Sequence, residues 1–322
     1  MNNNIQTLLS IFLFVVSLLV ALLIGEGFLR LKNLDMNNYD IEMWKYAKEL
    51  KIQVEDKAIN HVHRKNESGS FQGVNIKLNN HGQRDINYDN EFLRQYDKRF
   101  LIIGSSIPLG WGVKRENTYP YLLNELAKKN NKNWIFINGG IGNYNSQRYV
   151  NNFLKNWSNL DFNYIIINYF VNDAELLENK KTNFFIKHTH LGVVLWKLFK
   201  SFDASLKKEN LVSYYENIYN EKSNGFKTNI GELKKLNEYC NNNNIKCILV
   251  NMPDIHQLNP YKLNFINKKI ENLADEINLK YIDLLPVLEN IDEKKLWNKY
   301  QDPHPNSLAH EIISKEIFQK IN

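Results

Sequence analysis

From residue 99 onward the chain repeats one pattern: a short apolar run, a turn rich in Gly or Asn, then an amphipathic stretch. The apolar runs are rich in Ile, Val, Phe or Tyr, as expected for strands that are buried on both faces. They are Arg99–Gly104, Trp134–Asn138, Tyr164–Phe170, Cys247–Asn251 and Lys280–Leu284. The helical patterns between and after them are Asn117–Lys129, Leu233–Cys240, Tyr261–Ile277 and Ser307–Ile321. This alternation predicts a three-layer α/β/α sandwich around a mostly parallel five-stranded sheet.

Composition narrows the class of protein further. Of the 322 residues, 43% are hydrophobic and 24% are charged, which excludes a disordered or fibrous chain. The 41 Lys and Arg residues barely exceed the 35 Asp and Glu residues, and no long basic run occurs, so we expect no nucleic-acid partner. The two cysteines, Cys240 and Cys247, fit no common metal pattern and exclude a disulfide framework. They could pair with each other, but we favour two buried thiols.

The N-terminal part, residues 1–32, contains an uncharged stretch of 17 residues, Leu8–Ile24. It is long enough for a transmembrane helix and has no polar stripe. A cleaved signal peptide is the competing interpretation, but no basic residue precedes the stretch and no small-x-small site follows it. We therefore predict a single-pass membrane anchor. Arg30 and Lys32 after the span favour a cytoplasmic domain, whereas long C-terminal domains are exported with little regard for charge, so the side stays open, with the extracytoplasmic side favoured.

Two further divisions follow from the pattern. We predict a juxtamembrane linker with short elements packed on the main domain over residues 33–98, and the main domain over residues 99–322. A helical insertion, residues 181–225, carries the aromatic residues Phe184, Phe185, Trp196, Phe199, Phe202, Tyr214, Tyr215 and Tyr219. We interpret it as an added helical layer whose aromatic side chains are core. The alternative is a lid or a membrane-facing surface over the site.

Chemically useful side chains follow the predicted strands, and the carboxyl ends of parallel strands meet at one edge of a sheet. Ser105 and Ser106 follow the first strand, the Gly-rich segment 138–145 follows the second, and Asn172 follows the third. A serine on a tight strand-to-helix turn can attack a carbonyl carbon if a base is near. Asp302 and His304, in a Pro-containing loop before the last helix, can supply that base.

Other histidines have plainer interpretations. His310 lies inside the last helical pattern, and we expect a structural role for it, such as a bond to a backbone group. Asp254 and His256 resemble a metal pair only superficially, because no third ligand accompanies them, and we interpret them as loop residues. The sequence thus predicts neither a metal site nor a cofactor site.

The order of these motifs resembles that of the SGNH, or GDSL, hydrolase family, over about residues 79–321. The segment Asn80–Asp85 also resembles the one that precedes the nucleophile strand in membrane-tethered members. The resemblance implies an SGNH/flavodoxin-like fold, with Ser106 as nucleophile, His304 as its base and Asp302 as the carboxylate that orients the imidazole. It also implies an oxyanion hole formed by the backbone N–H of Ser106, a backbone N–H of the turn Gly142–Asn143, and the side-chain amide of Asn172.

The chain departs from the family pattern at four positions. Ser105 replaces the Asp of Gly-Asp-Ser, Asn143 and Phe170 replace glycines, and Gln301 stands where the acid three residues before the His is common. The register still favours Ser106 over Ser105 as nucleophile, because Gly110 follows four residues later.

Together these features predict a membrane-anchored serine esterase that forms an acyl-serine intermediate and uses no cofactor. The expected partner is an acylated carbohydrate or lipid conjugate, and the resemblance suggests O-acetyl groups as the ones removed. One alternative is an O-acyltransferase that moves the acyl group to an envelope glycan. The other is a catalytically inactive module that binds glycan or serves in assembly.

Overall fold

The computed structural model describes residues 3–177, 184–207, 210–300 and 302–322. Its α-helices are α1 (Asn3–Lys32), α2 (Tyr39–Leu50), α3 (Asn90–Leu93), α4 (Ser106–Leu109), α5 (Tyr119–Lys129), α6 (Ser146–Asn152), α7 (Phe184–His188), α8 (His190–Lys207), α9 (Leu211–Ile218), α10 (Asn224–Asn242), α11 (Asn264–Glu276), α12 (Leu285–Leu288) and α13 (Ser307–Ile321). Its strands are β1 (Lys51–Gln53), β2 (His61–His63), β3 (Ser68–Phe71), β4 (Val74–Lys77), β5 (Lys98–Gly104), β6 (Trp134–Gly140), β7 (Tyr164–Phe170), β8 (Lys246–Met252), β9 (Lys280–Asp283), β10 (Trp297–Lys299) and β11 (Asp302–Pro305).

The centre of the fold is a five-stranded sheet with the order β6-β5-β7-β8-β9, and all of its neighbouring strands are parallel. Each apolar run predicted from the sequence forms one of these strands, with ends that differ by at most two residues. The largest difference is in β6, which continues two residues beyond its predicted end, through Gly139 and Gly140. The predicted fold class is confirmed.

Alternate residues of the central strands face opposite helical layers, which explains why the runs carry no polar stripe. On β5, Leu101 and Ile103 join a core that includes residues of α6, α10 and α11. Phe100 and Ile102 join the opposite core, with residues of α5, α12 and α13. The sheet is therefore covered on both faces, and its carboxyl edge is left for loops that can carry a site.

The segment between α1 and β5 forms the helices α2 and α3 and two small antiparallel pairs, β1-β2 and β3-β4. Tyr46 and Leu50 of α2 and Phe71 of β3 form a third buried cluster together with Leu109 and Trp111. Leu109 ends α4, so the juxtamembrane segment packs directly against the turn that carries Ser106.

Helix α1 is 30 residues long, about 45 Å at 1.5 Å per residue, which exceeds the roughly 30 Å hydrocarbon core of a bilayer. Within the described part of the chain, the segment Ile5–Lys32 is the one helix long and apolar enough to cross a membrane, and none of its most apolar window is buried in the protein. Near its end, the Glu26 carboxylate accepts hydrogen bonds from the backbone N–H groups of His190 (3.1 Å) and Leu191 (2.9 Å) at the start of α8.

The predicted insertion contains α7, α8 and α9, although residues 181–183 and 208–209 lie outside the described residues. The expectation that its aromatic side chains are core is correct for Tyr215 and Tyr219, which are buried. It is wrong for a larger set that is exposed: Phe184, Phe185, Trp196, Phe199, Phe202 and Tyr214. An amphipathic pattern marks an apolar face without stating what covers it, and α8 turns that face outward, beside α1.

The favoured interpretation of the cysteines as free thiols is also wrong, because Cys240 and Cys247 form a disulfide. Cys240 lies in the last turn of α10 and Cys247 is the second residue of β8. The tight connection between them includes a hydrogen bond of 2.8 Å from the Ile245 N–H to the Cys240 carbonyl oxygen. This turn brings the two Cα atoms to 6.4 Å.

Candidate active site

Ser106 lies on the turn between β5 and α4. It is the first residue of α4, so its backbone N–H has no acceptor inside the helix and can serve a ligand. Gly140, at the end of the neighbouring strand β6, makes room for this turn, because a Cβ there would lie 2.3 Å from the Leu109 backbone nitrogen. Ser105 precedes the helix and is buried.

Ser106, His304 and Asp302 form a hydrogen-bonded chain. Ser106 Oγ lies 2.9 Å from His304 Nε2, and His304 Nδ1 lies 2.6 Å from Asp302 Oδ1. Asp302 is 1% exposed and also accepts a hydrogen bond of 3.1 Å from the Trp111 indole N–H. Asp302 thus fixes the imidazole through Nδ1, which leaves Nε2 free to accept the Ser106 proton.

The electrostatics of the pair agree with this geometry. Burial acts to raise the pKa of Asp302, but the hydrogen bonds and the charge of His304 outweigh burial, and the pKa is lowered. Asp302 therefore stays ionised at neutral pH, where it can stabilise a positive imidazolium.

The predicted oxyanion donors lie on the loops after β6 and β7. Asn143 adopts the left-handed conformation with φ of 64°, which Asn tolerates better than most residues with a Cβ, and its side chain is exposed. Asn172 lies in the short 3₁₀ helix Val171–Ala174. Its Oδ1 is buried and has no hydrogen-bond partner within the described part of the chain. Its Nδ2 is either accessible or hydrogen-bonded. Both residues follow strands that flank β5 in the sheet.

The sequence analysis expected one donor from the turn Gly142–Asn143, and the structure distinguishes its two N–H groups. The Gly142 N–H donates a hydrogen bond of 3.0 Å to the Tyr46 hydroxyl, so the N–H of Asn143 is the remaining candidate in this turn. A Cβ at position 142 would lie 2.8 Å from the Tyr46 ring, which explains why glycine is needed here. The sequence does not indicate which of the two N–H groups is engaged, because Tyr46 is 96 residues away from Gly142.

Two further side chains of the juxtamembrane segment hold the same turn. The Gly142 carbonyl oxygen accepts hydrogen bonds from Lys51 Nζ (2.5 Å) and His61 Nε2 (3.2 Å). Burial lowers the pKa of Lys51 to about 7 and that of His61 to about 2, with nearby positive charges adding to both effects. His61 is therefore neutral at physiological pH. The conformation of the predicted oxyanion turn depends on a segment that precedes the α/β domain.

Arg84 binds the chain that follows α4. It belongs to the segment Asn80–Asp85, which contributed to the resemblance. Its guanidinium donates to the carbonyl oxygens of Leu109 (2.9 Å), Gly110 (2.7 Å) and Val113 (2.8 Å). Arg84 is 1% exposed, so its guanidinium has lost its hydrogen bonds to water. The bonds to the three carbonyl oxygens compensate for that loss. The chain after α4 is thereby fixed behind Ser106.

A cavity of about 210 Å³ opens above Ser106 and His304. Its apolar lining includes Phe170, one of the departures from the family pattern, and Met252. Tyr39 of α2 also lines it, with its ring centroid 5.8 Å from that of His304. The sequence offered no signal for Tyr39, because no local motif connects it with the distant loop of His304.

The remaining predicted positions are placed as follows. His310 is buried, and its Nδ1 accepts a hydrogen bond of 3.1 Å from the Tyr119 N–H, in agreement with the expected structural role. Asp254 and His256 contact each other and line the cavity above Ser106. Gln301 lies outside the described residues.

No family model matches the sequence, and no curated protein matches it. Solved structures do resemble the fold. A psychrotrophic esterase, EstA, from Pseudoalteromonas sp. is 15% identical, with a TM-score of 0.46 over 70% of this chain and 97% of that chain. A protein of the G-D-S-L family from Desulfitobacterium hafniense is 15% identical, with a TM-score of 0.44 over 70% of this chain and 99% of that chain. An acetyl xylan esterase from Geobacillus stearothermophilus is 14% identical, with a TM-score of 0.46 over 70% of this chain and 95% of that chain.

At these identities the chemistry has to be derived from this chain's own geometry. The fold is a five-stranded parallel sheet covered by helices on both faces, as the sequence predicts. The roles of the individual side chains remain predictions.

Proposed function

We propose that the protein is a serine ester hydrolase that works through an acyl-serine intermediate. The observation that carries the proposal is the chain of contacts from Ser106 Oγ to His304 Nε2 and from His304 Nδ1 to Asp302. A serine hydroxyl is a weak nucleophile at neutral pH unless a positioned base removes its proton. The contacts of His304 with Ser106 and Asp302 support a base and an orienting carboxylate in these roles.

The proposed reaction has two halves. Ser106 Oγ bonds to the ester carbonyl carbon while His304 Nε2 takes the hydroxyl proton, and the carbonyl oxygen becomes an oxyanion that accepts hydrogen bonds from Ser106 N–H, Asn143 N–H and the Asn172 amide. Collapse of this adduct breaks the bond to the alcohol oxygen, which receives the proton from His304. Water then repeats the sequence on the acyl-serine, releasing the carboxylic acid and restoring Ser106.

We further propose acylated carbohydrate or lipid conjugates as substrates, with O-acetyl esters first among them. The cavity of about 210 Å³ and its apolar side chains Ile107, Phe170 and Met252 suit a short acyl group. A hydrolysis series of p-nitrophenyl esters from acetyl to octanoyl tests this expectation. We expect kcat/KM to be highest for the shortest chains, and a maximum at octanoyl would contradict it.

The test of the enzyme class uses the full chain in a mild non-ionic detergent. Wild type should hydrolyse p-nitrophenyl acetate with a burst of p-nitrophenol, and Ser106→Ala should abolish the burst. Ser105→Ala is the matched control, because it removes a neighbouring hydroxyl that is buried and should leave the burst. Hydrolysis by Ser106→Ala at the wild-type rate would refute the assigned nucleophile. Product analysis with an added oligosaccharide separates release of acetate from transfer to a sugar hydroxyl.

We also propose that α1 anchors the protein in a membrane. The apolar side chains of α1 are exposed along most of its length, which would be costly in water. Helix α8 contacts α1 and exposes Trp196, Phe199 and Phe202 beside it, as expected for side chains near a membrane interface.

An anchor and a cleaved signal peptide give different masses. We expect the protein purified from membranes to retain Met1 or Asn2 at its N-terminus and to remain with the membrane at pH 11. A mature chain that begins after residue 24 and washes off in alkali would contradict the anchor.

A further inference from the structure

A second Asp-x-His pair, Asp254 and His256, lies on the wall of the cavity above Ser106. Asp254 Oδ1 accepts a hydrogen bond of 3.0 Å from the His256 backbone N–H and also contacts His256 Nδ1. The spacing and the contact repeat those of Asp302 and His304. Asp254 is 6% exposed, whereas 60% of the His256 side chain is exposed. The imidazole is therefore held through Nδ1, and its Nε2 stays available to a ligand on this exposed side chain.

This pair lies where two cavities meet. Asp254 and His256 line the cavity above Ser106, and they also line a neighbouring cavity of about 380 Å³. The rest of the second cavity comes from the start of α9 and from the loop between β8 and α11. A substrate that extends from the first cavity into the second therefore passes Asp254 and His256.

Both cavities are lined mainly by apolar groups, and the second also holds several neutral polar side chains. Above Ser106 the lining is largely apolar, with Ile107, Phe170 and Met252. Beyond His256 it includes polar residues of the kind that bind hydroxyl groups: Asn210, Ser213, Gln257 and Tyr261. Neutral amide and hydroxyl groups match a polyol better than an acyl chain. The first cavity adjoins Ser106 and can take the acyl part of an ester, and the second offers polar groups to a hydroxyl-bearing alcohol part.

Resting on the ester hydrolysis proposed above, we propose that Asp254 and His256 form a carbohydrate subsite, in which His256 Nε2 hydrogen-bonds a hydroxyl of the sugar that carries the acyl group. The bond to Asp254 raises the pKa of His256. In either protonation state Nε2 can bond a hydroxyl, as acceptor when neutral and as donor when charged. His256 acts here as a binding residue, and the proton transfer stays with His304.

The first test compares two substrates in full-length protein. His256→Gln keeps a polar side chain but cannot hold the imidazole geometry, and His188→Gln on α7 is the matched control at another exposed histidine. We expect His256→Gln to lower the ratio of kcat/KM for an acetylated xylo-oligosaccharide to kcat/KM for p-nitrophenyl acetate by about tenfold or more, which corresponds to about 1.4 kcal/mol for the lost hydrogen bond. The change should lie mainly in KM for the oligosaccharide. An unchanged ratio would overturn the subsite.

The second test does not require turnover. In the Ser106→Ala background, titration calorimetry with the same oligosaccharide should give a Kd about tenfold higher when His256→Gln is added. Hydrolysis by wild type together with His256-independent binding would overturn the subsite and leave the esterase proposal intact. Absence of hydrolysis together with His256-dependent binding would refute the esterase proposal and support a glycan-binding module that uses this subsite.

Discussion

The buried imidazole of His310 makes the stability of the protein sensitive to mild acid. Burial lowers the pKa of His310 to about 3, with the charges of Arg84 and His304 acting in the same direction. In the unfolded chain its pKa is about 6.5. Between these values the unfolded state binds a proton that the folded state does not, so stability falls as pH decreases from about 6.5 toward 3. From pH 7.5 to 5.5 this one group lowers the free energy of unfolding by about 1.4 kcal/mol.

The assay must separate His310 from groups of opposite sign. Burial raises the pKa of Asp173, and such a carboxyl adds stability as pH falls. The comparison is therefore between wild type and His310→Gln, whose side-chain oxygen can still accept the Tyr119 N–H. We expect urea unfolding at pH 7.5, 6.5 and 5.5 to show a loss that is about 1.4 kcal/mol larger in wild type than in the variant. Equal losses would mean that His310 titrates freely in the folded protein, and would refute the reasoning.

Three further predictions concern the site. Asp302→Asn should lower kcat by about 10,000-fold in steady-state hydrolysis of p-nitrophenyl acetate, because an amide favours the wrong tautomer of His304; a loss below tenfold would contradict its orienting role. Asn172→Ala should raise the barrier by about 2.7 to 4 kcal/mol, seen as a 100- to 1000-fold lower kcat with little change in KM; an effect confined to KM would remove it from the oxyanion hole. Tyr46→Phe leaves the Gly142 N–H buried and unpaired, and we expect urea unfolding to show a loss of about 1 to 3 kcal/mol, with a lower kcat. Full activity and stability in Tyr46→Phe would show that this turn does not need the juxtamembrane segment.

Features that depend on local pattern were predictable from the sequence. The five strands were predictable from apolar runs bounded by turns, and their parallel direction was predictable from the helices that connect them. Ser106 and His304, 198 residues apart, could be paired because a serine nucleophile needs a base and because the order of the motifs resembles that of a known hydrolase family.

Features that depend on distant contacts were not. In the sequence, the N–H of Gly142 and that of Asn143 are equivalent candidates for the oxyanion hole. In the structure, the hydroxyl of Tyr46, from a helix before the sheet, accepts a hydrogen bond from the Gly142 N–H. No short motif encodes such a contact. The aromatic residues of α8 show a related limit, since the amphipathic pattern of Trp196 and Phe199 is the same whether the covering layer is protein or lipid.

The position of Asp254 and His256 beside the cavity of Ser106 is a further feature that the sequence does not indicate. Because no third ligand accompanies them, the sequence analysis interpreted them as loop residues. The loop is real, but the fold of β8 places it against the cavity of Ser106. Only the position of the strand in the sheet brings the pair to the site.

Covalent labelling tests the central claim most directly. The full chain is treated with a fluorophosphonate probe and digested, and the modified residue is located by mass spectrometry. One adduct on the Ser106 hydroxyl, lost in His304→Ala and retained in His188→Ala, is the expected result. An unlabelled wild type, or an adduct on Ser105 instead, would contradict the nucleophile on which the proposed chemistry depends.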